Sequence, residues 1–88
     1  MSVRLVWLDH ARERLSERGL SEKLVYEAVQ DPDHITGHGS HRIIHKRYMD
    51  PERQKVYLLR VFVEVRHDTM LIRSLYRTSK IEKYWRVE

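Results

Sequence analysis

A histidine and two arginines recur at helical spacing near the start of the chain, within residues 9–19. His10, Arg14 and Arg18 follow one another at intervals of one helical turn, so an α-helix would place them along one face. An imidazole can accept or donate a proton near neutral pH, and a guanidinium can hold a phosphate through two hydrogen bonds. The spacing therefore indicates an anion site in which His10 and Arg14 act on the same group.

Residues that begin and end helices bound this run. Asp9 can accept a hydrogen bond from an amide of the first turn, so it is the predicted N-cap. Gly19 can adopt the left-handed conformation that follows a last turn. Ser21 is the predicted N-cap of a second helix. That helix should end at Asp31-Pro32, because the residue before a proline is disfavoured in the α region.

The remaining chain predicts strands and turns. A short strand over residues 3–7 precedes the helices, and the polar, glycine-containing residues 33–40 predict a loop after them. Strands follow over residues 41–49, 55–66 and 69–78, and a Ser79-x-x-Glu82 capping box predicts a terminal helix. We expect one α+β domain, residues 1–88, of order β-α-α-β-β-β-α. Its antiparallel sheet should carry two N-terminal helices on one face and a short C-terminal helix.

Alternation along the longest predicted strands assigns side chains to the two faces of the sheet. Tyr57 and Leu59 begin an apolar series that must face the helices. With a two-residue turn at 67–68, Tyr76 joins this buried face, and a turn at 50–53 adds histidines to the opposite face. We call that opposite face the open face. It is expected to carry His41, His45, Arg47, Arg60, Arg73 and Arg77.

Composition restricts the classes of function. The chain has a formal net charge of +4, which suits a nucleic-acid backbone. It contains no cysteine, so disulfide and thiolate chemistry are excluded and a reducing cytoplasm is the expected location. No segment has the length of a membrane span or the pattern of a signal peptide.

The open face has two interpretations that the sequence leaves open. One is an RNA groove lined by histidine and arginine, and the other is a solvated face partly covered by the terminal helix. A zinc site is not expected, because the histidines match no known ligand spacing and no cysteine accompanies them. Neither a metal nor another cofactor is therefore predicted. The histidines in question are His34, His38, His41 and His45.

The motif His-Ala-x-x-Arg-x-x-x-Arg-Gly at residues 10–19 precedes a second helix ending in Asp-Pro and three strands. This pattern resembles a family of small bacterial and archaeal domains grouped with the RelE/ParE-like toxins of the barnase, EndoU, colicin and RelE fold. The resemblance implies a metal-independent ribonuclease, or a non-catalytic relative, with a small antitoxin as partner. By position it points to His10, Arg14, Arg18 and Tyr76. The lysine-rich cluster of the best-known RelE-type enzymes is replaced here by arginine and histidine.

The first functional hypothesis is an endoribonuclease toxin that cuts RNA by general acid–base catalysis. Its expected catalytic residues are His10, Arg14, His45 and Tyr76, and its expected RNA-binding residues are Arg18, Arg47, Arg60, Arg73 and Arg77. Expected partners are RNA, including ribosome-associated mRNA, and a small antitoxin; a homodimer is left open, and no membrane is involved. The alternative is a nucleic-acid-binding or protein-binding module of the same fold without catalysis.

Overall fold

The computed structural model describes residues 4–85, and these form an α+β structure as expected. Their helices are α1 (Asp9–Glu17), α2 (Glu22–Gln30) and α3 (Ile81–Tyr84). Their strands are β1 (Arg4–Trp7), β2 (His34–His38), β3 (His41–Asp50), β4 (Lys55–Arg66) and β5 (Thr69–Thr78). The order is therefore β-α-α-β-β-β-β-α, with one strand more than predicted. Val3 of the predicted first strand lies outside the described residues.

All five strands belong to one sheet of order β1-β5-β4-β3-β2. The pairs β2–β3, β3–β4 and β4–β5 are antiparallel, whereas β1 runs parallel to β5 with Leu5 opposite Met70. The expectation of a purely antiparallel sheet is therefore wrong. A hairpin forces its two strands to be antiparallel, but β1 is followed by two helices, and such a crossover permits a parallel neighbour.

Strand β2 occupies the stretch that was predicted to be a loop. Its polar residues and glycine are not typical of a strand, so the sequence pattern did not indicate one. In the described structure β2 is an edge strand that pairs with β3. Gly37 has a φ of 110°, and a Cβ at this position would lie 2.4 Å from the carbonyl oxygen of His41. Glycine is thus required where β2 approaches β3. Gly39, with a φ of 58°, lies in the turn between the two strands and has no atom near its potential Cβ.

The predicted end of α1 is confirmed, but its predicted start is not. Gly19 has a φ of 64°, and the Leu20 amide donates to the carbonyl oxygen of Leu15 at 3.0 Å, as in a Schellman ending. At the other end, Asp9 is the first helical residue, and Leu8 is the N-cap without a side-chain hydrogen bond. The Asp9 carboxylate still lies in the first turn, where the helix dipole favours a negative charge.

The two other helices differ in how well their caps were predicted. The Ser21 hydroxyl accepts a hydrogen bond from the Leu24 amide at 3.1 Å, which confirms the cap of α2. The predicted capping box before α3 is wrong. Lys80 is the N-cap there, and its amide donates to the Thr78 hydroxyl at 3.0 Å. Helix α3 is a single turn that follows β5 closely in the chain.

The hydrophobic core lies between the sheet and the helices α1 and α2, on the face that we call the helix side. Lys46 also belongs to this side but avoids the core, because its ammonium donates to the Asp31 carbonyl at 2.8 Å beyond the end of α2. The buried core residues are Ala11, Leu15, Val25, Ala28, Ile44, Leu59, Val61, Val63, Ile72 and Leu75.

A β-bulge interrupts the pairing of β4 with β5. Val63 lies opposite Ile72, but Phe62 lies opposite Ser74, so Arg73 has no partner residue of its own on β4. Because of this extra residue, each side chain of β5 after Arg73 projects to the side of the sheet opposite to the one that regular alternation predicts. Leu75 therefore enters the core opposite Val61.

The bulge overturns the predicted faces of two candidate site residues. Tyr76, predicted to be on the buried face, lies opposite Arg60 on the open face. Arg77, predicted to be on the open face, lies opposite Leu59 on the helix side. The predicted open-face positions of His45, Arg47 and Arg60 are confirmed by the pairing of β3 with β4.

Replacing Gly37 with alanine should lower the free energy of unfolding by about 3 kcal/mol, because the new methyl group meets backbone and the φ is unfavourable. Gly39→Ala is the matched control. It adds only the cost of a left-handed residue, about 1–2 kcal/mol. Urea unfolding of both variants measures the difference, and equal losses would show that β2 does not approach β3 as closely as described.

Candidate functional site

Four polar side chains form a row across the open face, one from each of β2, β3, β4 and β5. His34 lies opposite His45, His45 opposite Arg60, and Arg60 opposite Tyr76. Residues directly opposite one another in neighbouring strands project to the same face, so their side chains are neighbours. We call these four residues the cross-strand row.

His45 is the buried member of the row, with 1% of its surface exposed. Its Nε2 lies 3.0 Å from the hydroxyl of Thr36, and its Nδ1 has no hydrogen-bond partner among the described residues. Burial, the Arg60 guanidinium and His34 together lower the pKa of His45 to about 4. The imidazole is therefore neutral at pH 7, and the folded protein resists its protonation.

Arg60 is surrounded by aromatic rings. Its Cζ lies 4.1 Å from the ring centroid of Tyr84 and 5.4 Å from those of Phe62 and Tyr76, and an Nη1 hydrogen bond reaches the Tyr76 hydroxyl. These rings stabilise the cation without neutralising its charge. The Nε of Arg60 is buried and has no partner within residues 4–85. Nδ1 of His45, on the neighbouring strand, is unpaired in the same way. Each unpaired buried atom lowers the stability of the fold by about 1–3 kcal/mol.

Tyr76 completes the row as a phenol that stays protonated. Burial and the hydroxyl of Tyr84 raise the pKa of Tyr76, while Arg60 opposes this shift. Its ring stacks on Phe62 with centroids 6.0 Å apart, and the Tyr84 ring meets it edge-on at 6.3 Å. Tyr76 can therefore donate its hydroxyl proton from a fixed position beside the guanidinium.

The C-terminal segment covers part of the open face. The Cζ of Arg47 lies 4.7 Å from the Trp85 ring centroid, and the rings of His34 and Trp85 are 5.7 Å apart. Sequence reasoning did not include Tyr84 or Trp85 in the site. Two adjacent aromatic residues just after the last strand were the available signal, since such rings either pack on the sheet or stack on a ligand.

A second charged group occupies the end of the open face near the β4–β5 turn. Glu64 is only 8% exposed and accepts hydrogen bonds from Arg66 and, at 3.2 Å, from Arg73. His41 lies 3.5 Å from the same carboxylate. The hydrogen bond from Arg66 is the main cause of the lowered pKa of Glu64. Arg73, predicted to bind RNA, is thus engaged by a carboxylate.

The remaining predicted site residues lie on the helix side. His10, Arg14 and Arg18 belong to α1 or follow it directly, so the sheet separates them from the cross-strand row. Arg14 pairs with Glu17 at 3.2 Å. The structure therefore does not bring His10 and the open-face arginines to one phosphate.

Arg77 is held by an acid and two tyrosines on the helix side. Its Nη1 donates to the Asp50 carboxylate at 2.8 Å and to the Tyr48 hydroxyl at 3.2 Å, and its Cζ lies 4.4 Å from the Tyr57 ring centroid. These contacts leave 17% of the Arg77 side chain exposed. Its position follows from the bulge, and it is separated from Arg60 by the sheet.

Residues 4–85 contain neither a metal-binding cluster nor a membrane-spanning helix. No three histidine or carboxylate side chains of this part of the chain converge on a metal position. No helix within it is long and apolar enough to cross a membrane.

Comparison with known proteins relates most of the chain to one family. The family model for a domain of unknown function (DUF4258) matches residues 7–77, which include the whole cross-strand row. No curated protein and no solved structure matches the chain.

The lowered pKa of His45 predicts that the protein loses stability as the pH falls from about 6.5 to about 4. In this window the unfolded chain takes up a proton at residue 45 that the folded protein resists, so the free energy of unfolding should fall by about 2 kcal/mol near pH 4.5. Urea unfolding at several pH values measures this. His45→Gln should flatten the profile above the acid range in which Glu64 takes up its proton, whereas the control at exposed His38, His38→Gln, should retain it. Identical pH profiles of wild type and His45→Gln would contradict a buried neutral imidazole.

Proposed function

The chain belongs to the DUF4258 family, a domain of unknown function. We propose that it is a metal-independent endoribonuclease whose reacting groups lie in the cross-strand row. The observation that carries the proposal is the alignment of His45, Arg60 and Tyr76 on adjacent strands. They supply a neutral imidazole, a fixed cation and a protonated phenol on one face of the sheet. The resemblance of the helical motif to RelE/ParE-like toxins supports the same proposal.

Cleavage of RNA requires no group outside the chain. The 2′-hydroxyl oxygen attacks the adjacent phosphorus after a base removes its proton, and the bond to the 5′-oxygen breaks as that oxygen receives a proton. The products are a 2′,3′-cyclic phosphate and a 5′-hydroxyl. His45 is the base in this scheme; because it is buried, the side chains that cover it must move aside for the 2′-hydroxyl to reach it. Tyr76 donates the proton to the leaving oxygen.

The low pKa of His45 is compatible with this role once substrate is bound. A phosphate beside Arg60 brings negative charge next to the imidazole, and a nearby negative charge favours the protonated form. The pKa of His45 should therefore rise as charge develops on the phosphate oxygens. Arg60 stabilises that charge through its guanidinium, whose Nε has no partner within the described residues.

The aromatic residues around the row suit a single-stranded substrate. The rings of Tyr84 and Trp85 lie over the open face, where unpaired bases can stack on aromatic side chains. Arg47, whose Nε lies 3.8 Å from the Asp33 carboxylate, lies beside Trp85 and adds a cation for the backbone. In this proposal the protein is a cytoplasmic toxin with a small antitoxin as partner, and its RNA includes mRNA on the ribosome.

A second candidate is RNA binding without cleavage by the same surface. It is favoured by the Tyr84 ring over Arg60, which narrows the approach of a phosphate to the guanidinium. It is also favoured by the low pKa of His45, because a weak base removes a hydroxyl proton slowly. Both candidates use the cross-strand row, and they differ only in whether the backbone is cut.

Incubation of the purified protein with RNA and a chelator tests the proposed activity. We expect fragments ending in a 2′,3′-cyclic phosphate. Tyr76→Phe retains the ring stacking but removes the proton donor, so cleavage should fall by about 10²- to 10⁴-fold while RNA binding persists. Tyr26→Phe is the matched control on the helix side, where half of the Tyr26 surface is exposed.

A paired comparison of histidines identifies the base. His45→Gln should reduce cleavage by a similar factor, whereas His10→Gln should leave it unchanged because the sheet lies between His10 and the row. Loss of cleavage in His10→Gln alone would transfer the activity to α1. Retention of RNA without any cleavage by the wild type would leave the binding module as the function.

A further inference from the structure

A groove of about 460 Å³ lies on the helix side, at the end of the sheet where β5 finishes. Three guanidinium groups, three hydroxyl groups and the carboxylate of Glu17 line it. We call it the arginine groove. The basic and hydroxyl residues that line it are Arg18, Arg53, Arg77, Tyr57, Thr78 and Ser79.

Three separate elements bring the arginines together, and each is held in place locally. Arg18 is the C-cap of α1, fixed by the ending at Gly19. Arg53 lies in the turn between β3 and β4, where its amide donates to the Asp50 carboxylate at 3.3 Å. Arg77 lies at the end of β5, where the bulge turns it to the helix side. The cluster therefore depends on the tertiary fold and not on one run of basic sequence.

The charges of the groove are only partly compensated. Asp50 neutralises Arg77, and Arg14, which is not part of the lining, pairs with Glu17. No carboxylate within residues 4–85 lies at ion-pair distance from Arg18 or Arg53, and both residues are exposed. The groove thus offers two free guanidiniums beside hydroxyl donors, a combination that binds phosphate oxygens through charge-assisted hydrogen bonds.

We propose that the arginine groove is a second anion site, which binds a backbone phosphate of the RNA away from the bond that is cut. The identity of the polyanion rests on the proposed function. Thr78 follows Tyr76 by two residues, and two residues of an extended strand span about 6.6 Å. One strand of RNA that passes around the end of β5 can therefore contact both the cross-strand row and the groove.

The salt dependence of RNA binding tests this site. The ligand is a 2′-O-methyl RNA of about 12 nucleotides, which cannot be cut through its 2′-oxygen, so binding is measured without cleavage. In Arg18→Gln/Arg53→Gln the slope of log K against log salt should be smaller by about 1.4, because each lost phosphate contact with a single strand contributes about 0.7.

A matched variant removes the same charge elsewhere. Arg4→Gln/Arg42→Gln changes two arginines at the opposite end of the sheet, near the start of β5 and the end of β4. Its slope should stay close to that of the wild type. Equal slopes in the two double variants would overturn the proposal, because binding would then depend on total charge alone.

Two further measurements distinguish failure of the arginine groove as an anion site from failure of the proposed ribonuclease activity. Titration with inorganic phosphate should shift the amide NMR signals of Gly19 and Thr78 in the wild type and not in the groove variant. Phosphate binding with an unchanged RNA slope would overturn the assignment to RNA backbone. A reduced slope in a protein that cuts no RNA would support the groove while the proposed ribonuclease activity fails.

Discussion

The β-bulge at Arg73 is the constraint on which the open face depends. Ile72 and Leu75 both belong to the core, although they are three residues apart and side chains in a regular strand alternate with a period of two. One extra residue between them satisfies both positions. The same residue turns Tyr76 towards Arg60 and Arg77 towards Asp50. Packing of the core thus determines which polar groups meet on each side of the sheet.

On the open face, a buried imidazole and a guanidinium cation are neighbours, and the cation opposes protonation of the imidazole. His45 is buried as a neutral imidazole, while Arg60 beside it is a permanent cation. Rings from Phe62, Tyr76 and Tyr84 shield that cation from water, which strengthens its field at short range. The arrangement also leaves two buried nitrogen atoms unpaired in the described part of the chain. In the proposed function, a phosphate oxygen accepts a hydrogen bond from Nε of Arg60 and so offsets part of this cost.

Local signals in the sequence were sufficient for much of the fold and insufficient for the site. The ending at Gly19, the cap at Ser21 and the strands β3 to β5 follow from backbone preferences and alternation, and they place His45 and Arg60 on one face. The bulge could not be predicted, because it results from competition between two core positions and not from a turn residue. Strand β2 depends on pairing with β3, and the location of α3 depends on long-range contacts of Tyr84 and Trp85. These are tertiary effects that override local pattern.

His10 belongs to α1, and His45 belongs to the cross-strand row on the other side of the sheet. This separation determines how the motif at residues 10–19 is interpreted. His10 and Arg18 lie at opposite ends of α1, and a rise of about 1.5 Å per residue puts them about 12 Å apart. The sheet separates His10 from the row, whereas Arg14, one turn further along α1, lies on the same side of the sheet as His10. Arg18 instead meets Arg53 and Arg77 at the end of the sheet. The helix of the motif thus fills the core with Ala11 and Leu15 and positions one cation at its end.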